Sequence, residues 1–251
     1  MLKNINIEEI KNIALKAGVA VMKIYNKDFA VEYKDDKSPL TEADKVANEI
    51  ICSELKKLYP NIPLMSEENK QTEYEVRKNW EYYWCIDPID GTKEFIKKND
   101  EFTINIALIQ KDIPVLGVVY APAIDEMYTA KKGEGAFKNG KKLPLQVNNN
   151  QKEKLYVVAS KSHLSAENQE FIDNLDSKEI MQVSKGSSLK LCMVAEGVAD
   201  IYPRLAPTME WDTAAADAIV RCTGKMTYQF EKNKPIIYNK ENLLNPWFVV
   251  R

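Results

Sequence analysis

The chain has 251 residues, 45% of them hydrophobic, with 37 acidic side chains against 35 basic ones and a formal net charge of −2. It is long enough to bury a sizeable core without disulfides or a structural metal, and its charge balance gives no electrostatic footprint for nucleic acid. The four cysteines (Cys52, Cys85, Cys192, Cys222) form no C-x-x-C pair and His163 stands alone, which excludes zinc-ribbon, thioredoxin and multi-histidine zinc sites.

The N-terminal sequence MLKNINIEEIKNIALKAG carries acidic residues and lacks the apolar core of a signal peptide, so the expected compartment is the cytoplasm. No stretch is apolar enough to cross a bilayer; attachment at the inner face of the membrane would be peripheral. Ile7, Ile10, Ala14, Ala17, Val21 and Ile24 recur at helical spacing and predict an amphipathic first helix. After Ser38-Pro39, Thr41 starts a second helix bearing Val46, Ile50, Ile51, Leu55 and Leu58, closed at Tyr59-Pro60. Tyr82–Ile86 reads as a buried strand ending at Asp87-Pro88. Further strands are expected at Thr103–Ile109, Val115–Tyr120 and Glu126–Ala130, with tight turns at Gly133, Gly135 and Asn139-Gly140.

The polar, Asn-rich stretch Val147–Glu153 is the candidate boundary between an N-terminal half, 1–147, and a C-terminal half, 148–251. Beyond it the pattern gives a strand at Leu155–Ala159, a helix over about Ala166–Leu175 and a strand near Ile180–Val183. A helix from about Ser188 to Glu196 closes at Gly197, and another runs from Thr213 to about Cys222. Strands near Pro235–Tyr238 and Trp247–Val250 finish the chain. Both halves mix helix and strand without regular βαβ alternation, which suits a layered α+β architecture.

Four places combine carboxylates with features suited to metal and phosphate chemistry: Asp44, Glu67-Glu68, the run Asp87-Pro88-Ile89-Asp90-Gly91-Thr92, and Trp211-Asp212. With one histidine, any metal must be held by carboxylates and carbonyls, which favours Mg²⁺, Mn²⁺ or Ca²⁺. Asp87 and Asp90 can face one cation with the Ile89 carbonyl between them. Gly91 lets the backbone approach a ligand, and Thr92–Phe95 can open a helix whose free N–H groups suit a phosphate. Structural roles account for the same residues. Asp87–Gly91 can be a surface turn, Glu67-Glu68 an exposed acidic loop, Asp44 a capping-box carboxylate and Asp212 an N-cap.

The segments Ser66-Glu67-Glu68, DPIDGT (87–92) and WDTAAA (211–216), in this order and spacing, resemble the signature of the inositol monophosphatase superfamily of Mg²⁺-dependent, lithium-sensitive phosphatases. TKEFIKKNDEFTINIAL (92–108), VLGVVYAPA (115–123), GSSLKLCMVAEG (186–197) and YPR (202–204) are similar to the CysQ-type 3′(2′),5′-bisphosphate nucleotidases within it, so that the similarity spans essentially the whole chain. The resemblance implies an α+β, layered αβαβα sugar-phosphatase fold. It implies ligation of roughly two or three Mg²⁺ ions by Glu67, Asp87, the Ile89 carbonyl, Asp90 and Asp212. Asp44 and Thr92 match the positions that orient the attacking water, and Gly91 and Thr92 the phosphate-contacting turn. Glu67 and Asp212 also border the substrate. Ser187, Lys190 and Arg204 match nucleotide-binding positions, and His163 one near the base or ribose. Asn99-Asp100 departs from the expected Asn-Gly.

The implied activity is hydrolysis of 3′-phosphoadenosine 5′-phosphate to AMP and phosphate, with no covalent phosphoenzyme. Lys190 and Arg204 would hold the second phosphate, Lys as a point charge and Arg as a fork. An inositol-1-phosphatase using the same metal site, or a non-catalytic nucleotide or metal sensor, are the alternatives. The expected partner is the small nucleotide rather than nucleic acid, and the assembly a monomer or homodimer.

Overall fold

Residues 1–33, 39–159 and 165–251 are described in the computed structural model. Helix α1 (Ile7–Tyr25) starts where the Asn6 side chain accepts from the Glu8 N–H and buries Ile10, Ile13, Ala14, Ala17 and Val21, the stripe its periodicity predicts. Strands β1 (Val31–Tyr33) and β2 (Pro39–Thr41) pair antiparallel and lead into α2 (Glu42–Leu58), capped by Thr41. Strand β3 (Leu64–Ser66), the turn of helix α3 (Tyr74–Arg77), β4 (Tyr82–Asp90), α4 (Thr92–Ile96), β5 (Thr103–Gln110), β6 (Ile113–Ala121), β7 (Glu126–Lys131), β8 (Gly135–Lys138) and β9 (Lys141–Lys142) follow. The chain continues with β10 (Lys154–Val158), α5 (Ala166–Asp173), β11 (Glu179–Val183), α6 (Leu189–Glu196), β12 (Tyr202–Arg204), α7 (Glu210–Cys222), β13 (Thr227–Gln229) and β14 (Phe248–Val250).

The main sheet has the order β3-β4-β5-β6-β7-β8-β9, antiparallel except where β3 runs parallel to β4. Period-two alternation sends its side chains to two cores. Trp84, Ile86, Ile104, Ile106, Leu108, Leu116 and Val118 pack with the buried faces of α1 and α2. Tyr83, Cys85, Ala107, Ile109, Val119 and Ala121 pack with Leu191, Cys192, Ala215 and Ile219 of α6 and α7. Beyond these helices lie the sheet β12-β14-β13 and the parallel pair β10-β11, joined by a bridge between Val157 and Ile201. Helix α5 covers them with Ile172 against Leu155, Val157 and Val249. The layers therefore run αβαβα, the architecture implied by the resemblance.

Three of the expected elements differ in the structure. Strand β4 does not stop at Asp87-Pro88 but continues to Asp90 through a bulge, where two residues oppose one on β5 between the pairs Asp87–Asn105 and Asp90–Thr103. A bulge tolerates Pro88, which has no N–H to give to the ladder. Helix α7 begins at Glu210, a turn earlier than its alanine run suggests, because the Glu210 N–H is taken up by the Leu243 carbonyl. Pro235–Tyr238 makes one bridge to Tyr228 rather than a strand. Two of its residues, Ile236 and Tyr238, are buried at 0% and 1% exposure, while Ile237 between them is exposed. All four cysteines are free, and Cys52, Cys85 and Cys192 are buried.

Candidate active site

The parallel pairing of β3 with β4 sets Ser66 beside Ile86, and the Glu67 N–H donates to the Ile86 carbonyl at 3.1 Å. Glu67 thus leaves its strand next to Asp87, 20 residues further along the chain. The first turn of α7 delivers Asp212, whose Oδ2 accepts from the Met209 N–H at 2.9 Å. Glu67, Asp87 and Asp212 each present a carboxylate oxygen within 4.8 Å of the other two. They line a cleft of about 660 Å³ together with Ile89, Asp90, Gly91, Thr92 and Trp211. Asp90 sits on the far side of the bulge, and Gly91 follows with φ +89°, a left-handed conformation suited to glycine.

These carboxyls disturb one another. Burial first, and then the charges of Glu67, Asp90, Asp212 and Asp44, push Asp87 well above the usual carboxylate range. Burial and the Asp90 charge push Asp212 up to about 8, against the hydrogen bond from Met209. Asp90 rises to about 6, chiefly through burial, with Lys190 and the Ser188 N–H opposing. Among the described residues, Asp87 Oδ1 is buried without a hydrogen-bond partner. An oxygen-only donor set, mutual repulsion and an unpartnered buried oxygen fit a hard divalent cation such as Mg²⁺.

In the same cleft, the Thr92 hydroxyl donates to Asp44 Oδ1 at 3.3 Å and lies 3.3 Å from the Ile89 carbonyl. Asp44 Oδ2 accepts from the Thr41 N–H at 2.8 Å and the Thr41 hydroxyl at 2.7 Å. The capping box of Asp44 is thus present on one carboxylate oxygen, while the other meets Thr92.

A second cavity of about 230 Å³ adjoins the cleft and is lined by Ser187, Lys190 and Arg204, with Asp90, Gly91 and Asp212 shared between the two. Burial lowers the Lys190 pKa, while Asp90 raises it and Arg204 lowers it further. Arg204 Nη2 donates to the Pro207 carbonyl at 3.2 Å. Ser187 is buried and held at φ 47°. His163 lies outside the described residues. Sequence reasoning missed the polar contacts of Ser188, which lines this cavity: its Oγ donates to Asn105 Oδ1 at 2.7 Å and lies 2.8 Å from Thr103 Oγ1. Two polar residues inside the apolar strand Thr103–Ile109 were the available signal. Asp100, where the resemblance expects glycine, takes φ 65°. Its carboxylate accepts from the Tyr25 hydroxyl at 2.8 Å, and its N–H donates back to that oxygen at 3.2 Å.

The sequence profile of the inositol monophosphatase family matches residues 3–246. This chain belongs to the inositol monophosphatase family. It is 44% identical over 247 residues to the 3′(2′),5′-bisphosphate nucleotidase CysQ of Escherichia coli O6:H1, covering 97% of this chain and 98% of that one. It is also 44% identical to the CysQ nucleotidase of Salmonella typhimurium over the same shares. The crystal structure of CysQ from Bacteroides thetaiotaomicron, described as a bacterial member of the family, superposes with a TM-score of 0.87 at 43% identity, over 97% of this chain and 96% of that one. Among the described residues no helix is long and apolar enough to cross a membrane.

Proposed function

We propose that the chain is a Mg²⁺-dependent 3′(2′),5′-bisphosphate nucleotidase that hydrolyses 3′-phosphoadenosine 5′-phosphate to AMP and phosphate. One observation carries the reading: the cleft of the carboxylate trio Glu67, Asp87 and Asp212 adjoins, across Asp90 and Asp212, a cavity lined by Lys190 and Arg204. A phosphate monoester at the trio and a second phosphate at the cations would occupy adjoining spaces. The similarity to CysQ nucleotidases along 97% of the chain supports the same substrate class.

In this reading Glu67, Asp87, Asp90, Asp212 and the Ile89 carbonyl hold the metal. When bound, roughly two or three Mg²⁺ ions supply the positive charge that acidifies an attacking water and neutralises the phosphoryl oxygens. Thr92 orients the water, because its hydroxyl proton points to Asp44 and its lone pairs are left to accept. As water adds to phosphorus in line, its proton passes to Thr92 while the Thr92 proton passes to Asp44. The bond between phosphorus and the ribose oxygen breaks, and the leaving oxygen takes a proton from solvent. Gly91 and Thr92 offer backbone to the phosphate, and His163 is assigned to the base or ribose.

The deciding assay is phosphate release with Mg²⁺ from 3′-phosphoadenosine 5′-phosphate and from inositol 1-phosphate, each with and without lithium. The expected outcome is a preference for the nucleotide of about tenfold or more, with release inhibited by lithium. Preference for inositol 1-phosphate would keep the metal chemistry and remove the roles of Lys190 and Arg204. Release from neither would leave a sensor.

A further inference from the structure

Glu67 and Glu68 sit in the middle of a four-residue turn whose two ends are held by one side chain. The turn closes on itself through the Asn69 N–H, which donates to the Ser66 carbonyl at 3.1 Å. Asn48, on α2, reaches both ends. Its Oδ1 accepts from the Ser66 hydroxyl at 2.7 Å, and its Nδ2 donates to Asn69 Oδ1 at 2.9 Å. Asn48 lies one helical turn beyond Asp44, so both project from the same face of α2. Asp44 meets Thr92 from that face, while Asn48 meets the turn bearing Glu67. Cys52, a further turn along, completes the set: its thiol donates to Asn48 Oδ1 at 3.2 Å, and Asn69 Nδ2 lies 3.6 Å from the sulfur. Gln71 Nε2 adds bonds to the Ser66 and Asn69 carbonyls at 2.7 and 2.9 Å.

We propose that Asn48 is a positioning residue for the metal centre, clamping the Ser66–Asn69 turn so that the Glu67 carboxylate is held in register with the Asp44–Thr92 pair. The task needs an acceptor and a donor in one planar group, which the Asn48 amide provides. Aspartate keeps the bond from Ser66, loses the one to Asn69 and adds a charge beside Glu67. Alanine loses both. The inference rests on the metal reading above and adds to it a link between α2 and the Glu67 turn. Partners one shell away from metal ligands typically change metal affinity by about 10–100-fold.

The test measures Mg²⁺ binding by the rise in thermal midpoint on titration, and separately the Mg²⁺ concentration for half-maximal phosphate release. Wild type, Asn48→Ala, Asn48→Asp, Ser66→Ala and Asn69→Ala are compared. Both Asn48 variants should need roughly tenfold more Mg²⁺ in both readouts, with the nucleotide KM at saturating Mg²⁺ within about twofold of wild type. The Ser66 and Asn69 variants should each show part of the effect, and neither should add to Asn48→Ala in a double variant. A lowered metal-free midpoint with unchanged Mg²⁺ requirement would make Asn48 a structural residue only and overturn the proposal. If Asn48→Ala does not fold, Asn48→Asp and the two single-arm variants decide in the same way. Failure of the wild type itself to bind Mg²⁺ would instead remove the metal reading, and this inference with it.

Discussion

At the scale of single residues, the site is built from buried carboxyl groups that oppose one another's ionisation. Asp212 is the clearest case. Its pKa, raised to about 8 by burial and the Asp90 charge, means that the folded, metal-free protein favours the protonated form. The stability that goes with that proton is complete below pH of about 4, where the unfolded chain is also protonated, and is lost as pH climbs through about 8. Asp212→Asn should therefore raise the metal-free thermal midpoint by more at pH 8 than at pH 5, by roughly 5 °C. The same variant should lose most of the stabilisation by Mg²⁺. For the wild type, Mg²⁺ should stabilise more at pH 8 than at pH 6, since binding must displace protons. Differential scanning fluorimetry across pH with and without Mg²⁺ measures both, and a flat difference across pH would refute the assignment. Lys190 and Arg204 lend themselves to a substrate comparison. Either alanine variant should raise KM for the bisphosphate about tenfold, the value of a charge-assisted contact, and barely alter KM for a simple monophosphate. Equal effects on both would move these cations out of the second-phosphate role.

At the scale of elements, α7 decides whether the carboxylate trio exists. It lies against β6 at Gly117, where an added Cβ would stand 2.1 Å from the Ala215 carbonyl oxygen and 2.9 Å from Ala218 Cβ. Both obstacles belong to a helix packed on both faces, with Ala214, Ala215 and Ala216 essentially without exposure. Gly117→Ala must lift α7 from the sheet, an overpacking cost of about 1–3 kcal/mol. A drop in thermal midpoint of roughly 3–10 °C is expected. The displaced helix carries Asp212, so the Mg²⁺ requirement should rise as well. A variant with normal Mg²⁺ binding despite lower stability would show that the first turn of α7 is held independently. Glu210 is the element most able to do that: its buried carboxylate accepts from the Asn239 and Lys240 N–H groups at 2.7 and 3.0 Å and from Lys240 Nζ at 2.6 Å. None of this was visible in the run Thr213-Ala214-Ala215-Ala216, because helix propensity carries no information about a loop that closes onto the preceding turn.

At the scale of the whole molecule, the core on the α7 side of the sheet takes residues from both sides of the Asn-rich stretch: Tyr83, Ala107 and Val119 before it, Leu191, Ile219 and Phe248 after it. A shared core couples the two halves energetically, so we expect one cooperative thermal transition, with calorimetric and van't Hoff enthalpies in agreement. Mg²⁺ should shift that transition as a unit, because the trio draws Glu67 and Asp87 from one half and Asp212 from the other. Two resolved transitions, only one of them sensitive to Mg²⁺, would contradict this.

The sequence by itself determined most of the elements, and the family resemblance implied their layered order. Helical and strand periodicities are local consequences of which side of an element faces water, and α1, α2 and the strands β5, β6 and β7 could be read from them directly. It also determined the family, since Ser66-Glu67-Glu68, DPIDGT and WDTAAA keep their order and chemistry. The tertiary structure decided how those motifs meet. The bulge carrying β4 past Pro88, the early start of α7 at Glu210 and the clamp by Asn48 each depend on a partner distant in the chain. Short strands such as β12 and β13 escaped notice for the same reason: three residues hold no periodicity, and only the neighbouring strand β14 makes them strands. A carboxylate's position in sequence fixes its chemistry, but its pKa and its company are set by what the fold buries beside it.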